Sequence, residues 1–91
     1  MPEIKFYGTF RDITGKKSIE VSDVNTVGEL VNGLIDKFGG EFKKRIFKKG
    51  SKKLLGVAPI LVNGRRVVLL DGLDTDLTED DTVAFIAPIS G

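Results

Sequence analysis

Apolar and polar residues alternate at the start of the chain. In EIKFYGTF, three apolar residues fall on one side of an extended backbone and three other residues on the opposite side: Ile4, Phe6 and Phe10 against Lys5, Tyr7 and Thr9. This period of two predicts a strand. The turn-like segment RDITGKK follows, and Ile19 and Val21 then predict a second strand that forms a hairpin with the first.

The most regular pattern in the chain is helical. Apolar residues recur with the spacing of one helix face at Val27, Leu30, Val31, Leu34, Ile35 and Phe38. Thr26 and Glu29 have the spacing of a capping box, in which each side chain satisfies a backbone N–H at the helix start. Gly39 and Gly40 then predict the end of this main helix.

The second half of the chain predicts one more helix and three strands. EFKKRIFKKGSKK indicates a short helix that buries Phe42 and Ile46 and ends at Gly50. APILVNGRRVVLL predicts two strands joined by a tight turn at Asn63-Gly64. The remaining elements are a polar connector, with Leu73 and Leu77 as its apolar anchors, and a last strand, TVAFIAPI, with Val83 and Phe85 turned inward.

This element order predicts an α+β fold. A hairpin and a returning last strand pack over one main helix, and a short second helix completes the layer. Because the helical middle of the chain supplies a long crossover, the last strand can lie parallel to the first. With 91 residues and no long linker, we expect one domain over residues 1–91, with a flexible C-terminal tail at about residues 88–91.

The composition excludes most chemistry that a protein could perform alone. The chain has no cysteine and no histidine, so it lacks disulfides, thiolate or imidazole metal ligands and the commonest general base. We therefore expect no catalytic residue, no metal site and no bound cofactor. The chain shows neither a signal peptide nor an apolar run of bilayer length, which predicts a cytoplasmic protein that does not contact a membrane.

The charges are segregated along the chain. Nine basic and no acidic residues lie between 42 and 70, and six acidic and no basic residues follow from 71 to the end. A nucleic-acid-binding module is one interpretation of the basic stretch. The pI of about 8.0 and the absence of an aromatic stacking pattern argue against it. A plain protein-interaction module is a further alternative. We also predict that residues 43–53 form a surface helix and loop separate from the tail.

The order of these motifs resembles the small sulfur carriers of the MoaD and ThiS type, together with the related archaeal ubiquitin-like modifiers. The resemblance rests on IKFYGTFRDITG, TVGELVNGL, LVNG and the final TDLTEDDTVAFIAPISG. It implies a ubiquitin-like β-grasp fold, in which a mixed sheet of four to five strands wraps over one main helix. Tails in this family end in Gly-Gly, whereas this chain ends Ala87-Pro88-Ile89-Ser90-Gly91. We align it through Pro88, Ile89 and Ser90, which leaves Gly91 as the penultimate glycine.

The resemblance also implies a function for the tail. In such carriers an E1-like enzyme uses ATP to adenylate the C-terminal carboxylate, here at Gly91, which then becomes a thiocarboxylate or an isopeptide to a target lysine. Pro88 would end strand pairing and direct Ile89 and Ser90 away from the sheet. The partners implied are the E1-like enzyme and either the large subunit of molybdopterin synthase or target lysines. The chain itself would be a carrier or a synthase small subunit rather than an enzyme.

Strand alternation predicts which side chains a partner would contact. With Val83 and Phe85 turned to the core, Ala84 and Ile86 lie on the opposite face. If the last strand lies beside the first, Tyr7 and Thr9 share that face. The resemblance also places a partner contact at the residue before the Ala-Pro stretch, which is Ile86. We therefore expect Ile86, Ala84 and Tyr7 to form a docking surface.

Overall fold

A mixed β-sheet forms one layer of the protein. The structure, a computed structural model, describes residues 1–46 and 60–86, without the side chain of Val68. Within these residues the sheet has five strands in the order β2-β1-β5-β3-β4. They are β1 (Glu3–Tyr7), β2 (Ser18–Glu20), β3 (Ile60–Val62), β4 (Arg65–Arg66) and β5 (Thr82–Ile86). The last strand, β5, pairs parallel with β1, as the element order predicted, and antiparallel with β3.

The main helix packs against one face of this sheet. Helix α2 (Val27–Phe38) begins at Thr26, whose hydroxyl accepts a hydrogen bond from the Glu29 N–H at 3.2 Å. The Glu29 carboxylate accepts in return from the Asn25 N–H at 3.0 Å, so the predicted capping box is confirmed with its second bond one residue earlier. Four buried residues of α2 join the inward side chains of β1 and β5 in one core: Val27, Leu30, Val31 and Leu34.

The start of the chain differs from the prediction. The first strand ends at Tyr7, and the segment predicted to continue it and then turn forms helix α1 (Gly8–Thr14). Gly8 has φ 54°, a left-handed conformation that redirects the backbone where the strand ends. Phe10 is nevertheless buried, because α1 carries it into the core, where its ring centroid lies 5.4 Å from that of Phe42 and 5.6 Å from that of Phe85. Gly15, with φ 70°, ends α1.

The tight turn of the second half is confirmed, but the strand after it is short. Asn63 and Gly64 have φ 51° and 83°, the pair of left-handed residues that a type I′ turn requires. Only Arg65 and Arg66 pair with β3, and Val67–Leu69 then forms a 3₁₀ turn instead of continuing the predicted strand. The two apolar anchors predicted for the polar connector are confirmed, since Leu77 is buried and Leu73 packs against the core.

The short helix that was predicted after the main helix lies directly after α2. Helix α3 (Gly40–Ile46) buries Phe42 and Ile46, as its spacing predicted, and exposes Lys43, Lys44 and Arg45. The predicted end of this helix at Gly50 and the lysines from 48 to 53 lie outside the described residues. The surface position predicted for the basic segment is therefore confirmed for its first three cations alone.

Two glycines of α2 differ in the space that a side chain would have. A Cβ on Gly28 would lie 3.0 Å from the backbone oxygen of Leu73, so the helix approaches the connector closely there. A Cβ on Gly33 would meet nothing within 4 Å in the part of the chain that the structure describes. Gly28 therefore permits a packing contact, whereas Gly33 fills no such role.

We expect alanine substitutions at these two glycines to change the free energy of unfolding in opposite directions. Gly33→Ala should raise the free energy of unfolding by about 0.5–1 kcal/mol, because alanine is the better helix former and has room. Gly28→Ala should lower the free energy of unfolding, because displacement of the Leu73 carbonyl costs more than the better helix propensity of alanine gains. Urea unfolding of both variants measures the difference, and equal stabilisation would show that the connector yields freely.

Candidate functional site

The candidate site is built around the end of the central strand. β5 lies between β1 and β3, and its last residue, Ile86, is paired in register with Tyr7, the last residue of β1. Helix α2 and the core occupy one face of this strand, where Val83 and Phe85 are fully buried. The predicted tail residues Pro88, Ile89, Ser90 and Gly91 follow directly but lie outside the described residues, so their predicted projection from the fold remains a prediction.

The opposite face of the sheet carries a mixed apolar and charged surface, called here the open face. The strand register aligns Lys5, Ala84, Leu61 and Arg66 in one row across four strands, and Tyr7 and Ile86 in the next row along β1 and β5. Cross-strand partners in a pleated sheet point to the same side. The same register places Glu3, Ser18, Glu20 and Thr82 on this side as well. The six residues of the open face used below are Lys5, Tyr7, Leu61, Arg66, Ala84 and Ile86.

The three residues predicted for a docking surface all lie on the open face. Tyr7 is 45% exposed and Ile86 is 42% exposed, and Ala84 lies beside them with partial exposure. Thr9, expected to share this face, belongs to helix α1 instead, because the chain turns at Gly8. Tyr7 and Ile86 are neighbours on adjacent strands, so the structure brings the two largest predicted contacts together.

Sequence reasoning missed two members of the open face, Leu61 and Arg66, and left Lys5 out of the predicted docking surface. Leu61 alternates with the buried Ile60 and Val62, so period two around the Asn63-Gly64 turn was the signal for its outward direction. Arg66 lies on the same face because it pairs with Leu61 across β3 and β4. Lys5 was assigned outward but was not linked to Ala84, because the parallel register of β1 and β5 is not visible in the sequence. The two cations flank the apolar middle of the face.

A small hydrogen-bond network holds the start of β5 against the turn of β3 and β4. The Asn63 side chain donates to the Asp81 carboxylate at 2.9 Å and accepts from the Thr82 N–H at 3.0 Å. The Asn63 N–H donates to the Thr82 carbonyl oxygen at 2.8 Å. The second Asp81 oxygen accepts from the Thr78 N–H at 2.8 Å. This network fixes the start of β5 beside the turn between β3 and β4.

The network gives the protein a testable acid sensitivity. The hydrogen bond from the Thr78 backbone N–H, and next the one from Asn63, hold the pKa of the Asp81 carboxyl below its usual value. A carboxyl with a lowered pKa in the fold adds stability above its unfolded pKa, and this stability is lost as the pH falls through the folded value. Asp81→Ala should therefore lower the melting temperature at neutral pH.

The difference in melting temperature between Asp81→Ala and the unmodified chain should shrink below about pH 4, where the carboxyl of the unfolded chain begins to take up a proton before that of the folded chain does. Thermal melts followed by circular dichroism from neutral to strongly acidic pH measure this. Asp80→Ala is the matched control, since Asp80 is the exposed neighbouring carboxylate. A constant difference across the whole range would mean that Asp81 contributes through packing and not through its charge.

The described residues offer no metal site and no helix of membrane-spanning length. Within residues 1–46 and 60–86, no three acidic side chains converge as metal ligands would. In the same ranges no helix is long and apolar enough to cross a membrane. The exposed cations of α3 lie on the helix layer. The Nζ atom of Lys44 is 3.8 Å from the Oε1 atom of Glu41.

Comparison with known proteins agrees with this architecture. The model of the ThiS family matches residues 4–91. Small archaeal modifier protein 3 from Haloferax volcanii is 37% identical over 91 residues, covering 98% of this chain and 96% of that protein. The solution structure of small archaeal modifier protein 1 from Methanosarcina acetivorans has a TM-score of 0.82 at 30% identity, covering 99% of this chain and 94% of that one.

A crystal structure of a complex adds a third similar protein. The matched chain of the Amycolatopsis orientalis BexX/CysO complex has a TM-score of 0.82 at 25% identity, covering 100% of this chain and 99% of that one. The fold and the open face thus define a ubiquitin-like β-grasp protein, as the sequence predicted. The chain belongs to the ThiS family, which confirms the resemblance seen in its motifs.

Proposed function

We propose that this protein is a sulfur carrier or protein modifier whose C-terminal carboxylate is activated by an E1-like enzyme. The observation that carries this proposal is the extent of the family match, which continues through the tail to residue 91, directly after the exposed end of β5. A fold alone does not assign a function, so the proposal depends on this tail and on the surface beside it. The chain itself performs no catalysis.

The proposed chemistry takes place in two steps on the partner enzyme. A carboxylate oxygen of the tail attacks the α-phosphorus of ATP, and pyrophosphate leaves, which converts the carboxylate into an acyl-adenylate. A hydrosulfide or a lysine amine then attacks the carbonyl carbon, and AMP leaves. The products are a C-terminal thiocarboxylate or an isopeptide bond. A tail that ends in a residue without Cβ allows the close backbone approach that the first step needs.

The two products correspond to two cellular roles. The resemblance to sulfur carriers of the MoaD and ThiS type, together with the match to the ThiS family, supports sulfur transfer, for which we propose a molybdopterin synthase large subunit as one acceptor. The name of the Haloferax relative, a modifier protein, supports conjugation to a target protein, and we propose its lysines as the acceptors. We propose that both reactions start from the same adenylate, so that the acceptor supplied decides the product.

Intact-mass measurement tests this proposal. The chain is incubated with the E1-like enzyme of its own cell, ATP and sulfide, and we expect a mass gain equal to exchange of one oxygen for sulfur. Replacing sulfide by candidate protein acceptors should give covalent conjugates whose branched peptide contains the C-terminal residue. Reactions without ATP are the control. An unchanged mass with an enzyme that is active on another carrier would contradict the proposal.

The open face is proposed as the surface that the activating enzyme binds. Tyr7 and Ile86 offer apolar contact area next to the tail, and the cations Lys5 and Arg66 flank the apolar centre. Aromatic and arginine side chains are the types that most often dominate binding energies. The structural relative that was crystallised in a complex shows that the similar CysO chain can be held by a protein partner.

Charge placed in the open face should disrupt this binding. We expect Ile86→Asp and Tyr7→Asp each to weaken affinity for the E1-like enzyme by about 2 kcal/mol, or about 30-fold, because a carboxylate would be desolvated in the contact. Isothermal titration calorimetry measures the affinity, and thermal melting confirms folding. Asn32→Asp, on the exposed side of α2, is the control of equal charge. If both open-face variants bound with wild-type affinity, the enzyme would recognise the tail or the charged loops instead of the open face.

A further inference from the structure

A groove of about 280 Å³ lies between the edge strand β2 and helix α2, away from the open face. Its lining is mainly aliphatic and comes from β2, the loop after it and one side of the helix. The lining residues used below are Ile19, Val21, Val24, Leu30, Gly33, Leu34 and Lys37. Ile19, Val21 and Val24 are partly exposed although they pack against the core, so apolar surface is accessible within the groove.

Gly33 borders this groove. It is exposed in the middle of α2, where glycine weakens a helix, and a Cβ there would meet nothing within 4 Å in the described part of the chain. The packing of the folded chain thus does not explain the glycine, in contrast to Gly28. A longer side chain at this position would project into the groove between the helix and β2.

The strand beside the groove lies at the edge of the sheet that residues 1–46 and 60–86 form. β2 is the end strand of the sheet, and within residues 1–46 and 60–86 no strand pairs with its outer side. On its inner side the Lys17 carbonyl accepts from the Phe6 N–H, and the Val21 N–H donates to the Pro2 carbonyl oxygen. Because backbone groups along an antiparallel strand alternate in direction, those of Ser18 and Glu20 point outward. They can pair with a further strand.

The charges around the groove favour an acidic occupant. Lys37 lines the groove one helical turn after Gly33. Lys17 lies opposite Phe6 and, by strand alternation, on the same side of β2 as Ile19. Glu20 also borders the groove, but its register with Glu3 directs its side chain to the open face. The helix side of β2 therefore combines apolar surface with two lysines.

We propose that this groove binds an extended segment of a partner protein that adds to the sheet beside β2. The segment would pair with the outward backbone groups of Ser18 and Glu20 and place alternate aliphatic side chains over the groove. An acidic residue of the segment would lie near Lys37 and Lys17. In this mode main-chain hydrogen bonds supply affinity, and the pockets for alternate side chains supply specificity. The proposal is independent of the activation chemistry, because the groove is on the layer opposite the open face.

The test is an NMR titration of the nitrogen-15-labelled chain with synthetic peptides of alternating valine and threonine. One peptide ends in aspartates, a second in lysines, and a third has proline replacing the central threonine. The aspartate peptide should bind with a Kd between about 10 μM and 1 mM. It should shift the amide signals of Ser18, Glu20 and Gly33 most. The lysine peptide should bind at least about 10-fold more weakly, and the proline peptide should not saturate.

Three variants and one control identify the groove as the binding site. Gly33→Leu fills the groove and should abolish binding, whereas Asn32→Leu adds the same side chain on a neighbouring exposed position and should not. Ser18→Pro removes an outward N–H at the first residue of β2, where proline is tolerated, and should also abolish binding. Lys37→Glu should reverse the preference between the acidic and basic peptides.

Several results would overturn the proposal. One is the absence of saturable shifts with every peptide up to about 5 mM, a weaker affinity than specific strand addition provides. A second is a shift pattern centred on Tyr7 and Ile86, which would assign the peptides to the open face. A third is a concentration-dependent dimer, seen by sedimentation and abolished by Gly33→Leu, which would make a second copy of this chain the occupant. None of these results depends on whether the carboxylate is adenylated.

Discussion

Deletion of residues 88–91 should abolish ATP-dependent activation while leaving the fold and the affinity of the open face for its partner unchanged. The deletion shortens the chain by up to about 13 Å of extended backbone. The new carboxylate then belongs to Ala87, one residue after Ile86, which is paired with Tyr7 in the sheet. We expect no mass gain with sulfide and no conjugate to lysine acceptors, since the carboxylate cannot leave the sheet far enough to enter an active site.

This deletion separates the proposed carrier from a plain interaction module. For a module, removal of the tail would change nothing that can be measured. For a carrier, partner binding through Tyr7 and Ile86 persists, and activation is lost. Gly91→Val serves as a graded control, because it keeps the length and adds a branched side chain at the end of the tail. Thiocarboxylate formation by the truncated chain at the normal rate would contradict the proposed role of the tail.

The second large effect concerns stability. Phe42→Ala should lower the free energy of unfolding by about 3–5 kcal/mol, a large part of the total for a domain of this size. Phe42 is fully buried, and its ring centroid lies between 5.4 and 6.3 Å from the rings of four other phenylalanines: Phe6, Phe10, Phe38 and Phe85. Its removal would leave a cavity where α1, α2, α3 and the sheet meet.

The matched control for Phe42→Ala is Lys43→Ala, the next residue of α3. Lys43 is exposed, so its truncation should change stability by less than about 0.5 kcal/mol. Chemical denaturation by guanidinium, followed by circular dichroism, measures both variants. If Phe42→Ala cost no more than Lys43→Ala, α3 would pack too loosely for its phenylalanine to matter, and the aromatic cluster would not hold the helix layer to the sheet.

Much of the fold was predictable because its signals are local. The stripe from Val27 to Phe38, with Thr26 and Glu29 at its start, specifies α2 through side-chain spacing and two short-range hydrogen bonds. Asn63-Gly64 specifies its turn because few other residue pairs adopt left-handed φ twice in succession. Each of these features depends on residues at most four positions apart.

The failures occurred where the apolar pattern does not show that a strand ends. The alternation through Phe10 predicts a strand, but the left-handed Gly8 redirects the backbone after Tyr7, and Phe10 reaches the core from helix α1. The apolar run after Arg66 reads as strand but forms a 3₁₀ turn, with Val67 buried. Propensity is a weak guide for short apolar runs, because packing against the rest of the molecule overrides it.

By itself, the sequence determined the main helix, the tight turn and the inward side of the first and last strands, because these follow from spacing between near neighbours in the chain. The order of its motifs along the whole chain indicated the family. The tertiary structure alone decided which residues share a surface. Ile86 meets Tyr7, and Ala84 lies between Lys5 and Leu61, because β5 enters the sheet between β1 and β3. The groove beside Gly33 likewise needs both β2 and α2 in place. Such surfaces arise from the register of segments far apart in the chain, which local spacing does not specify.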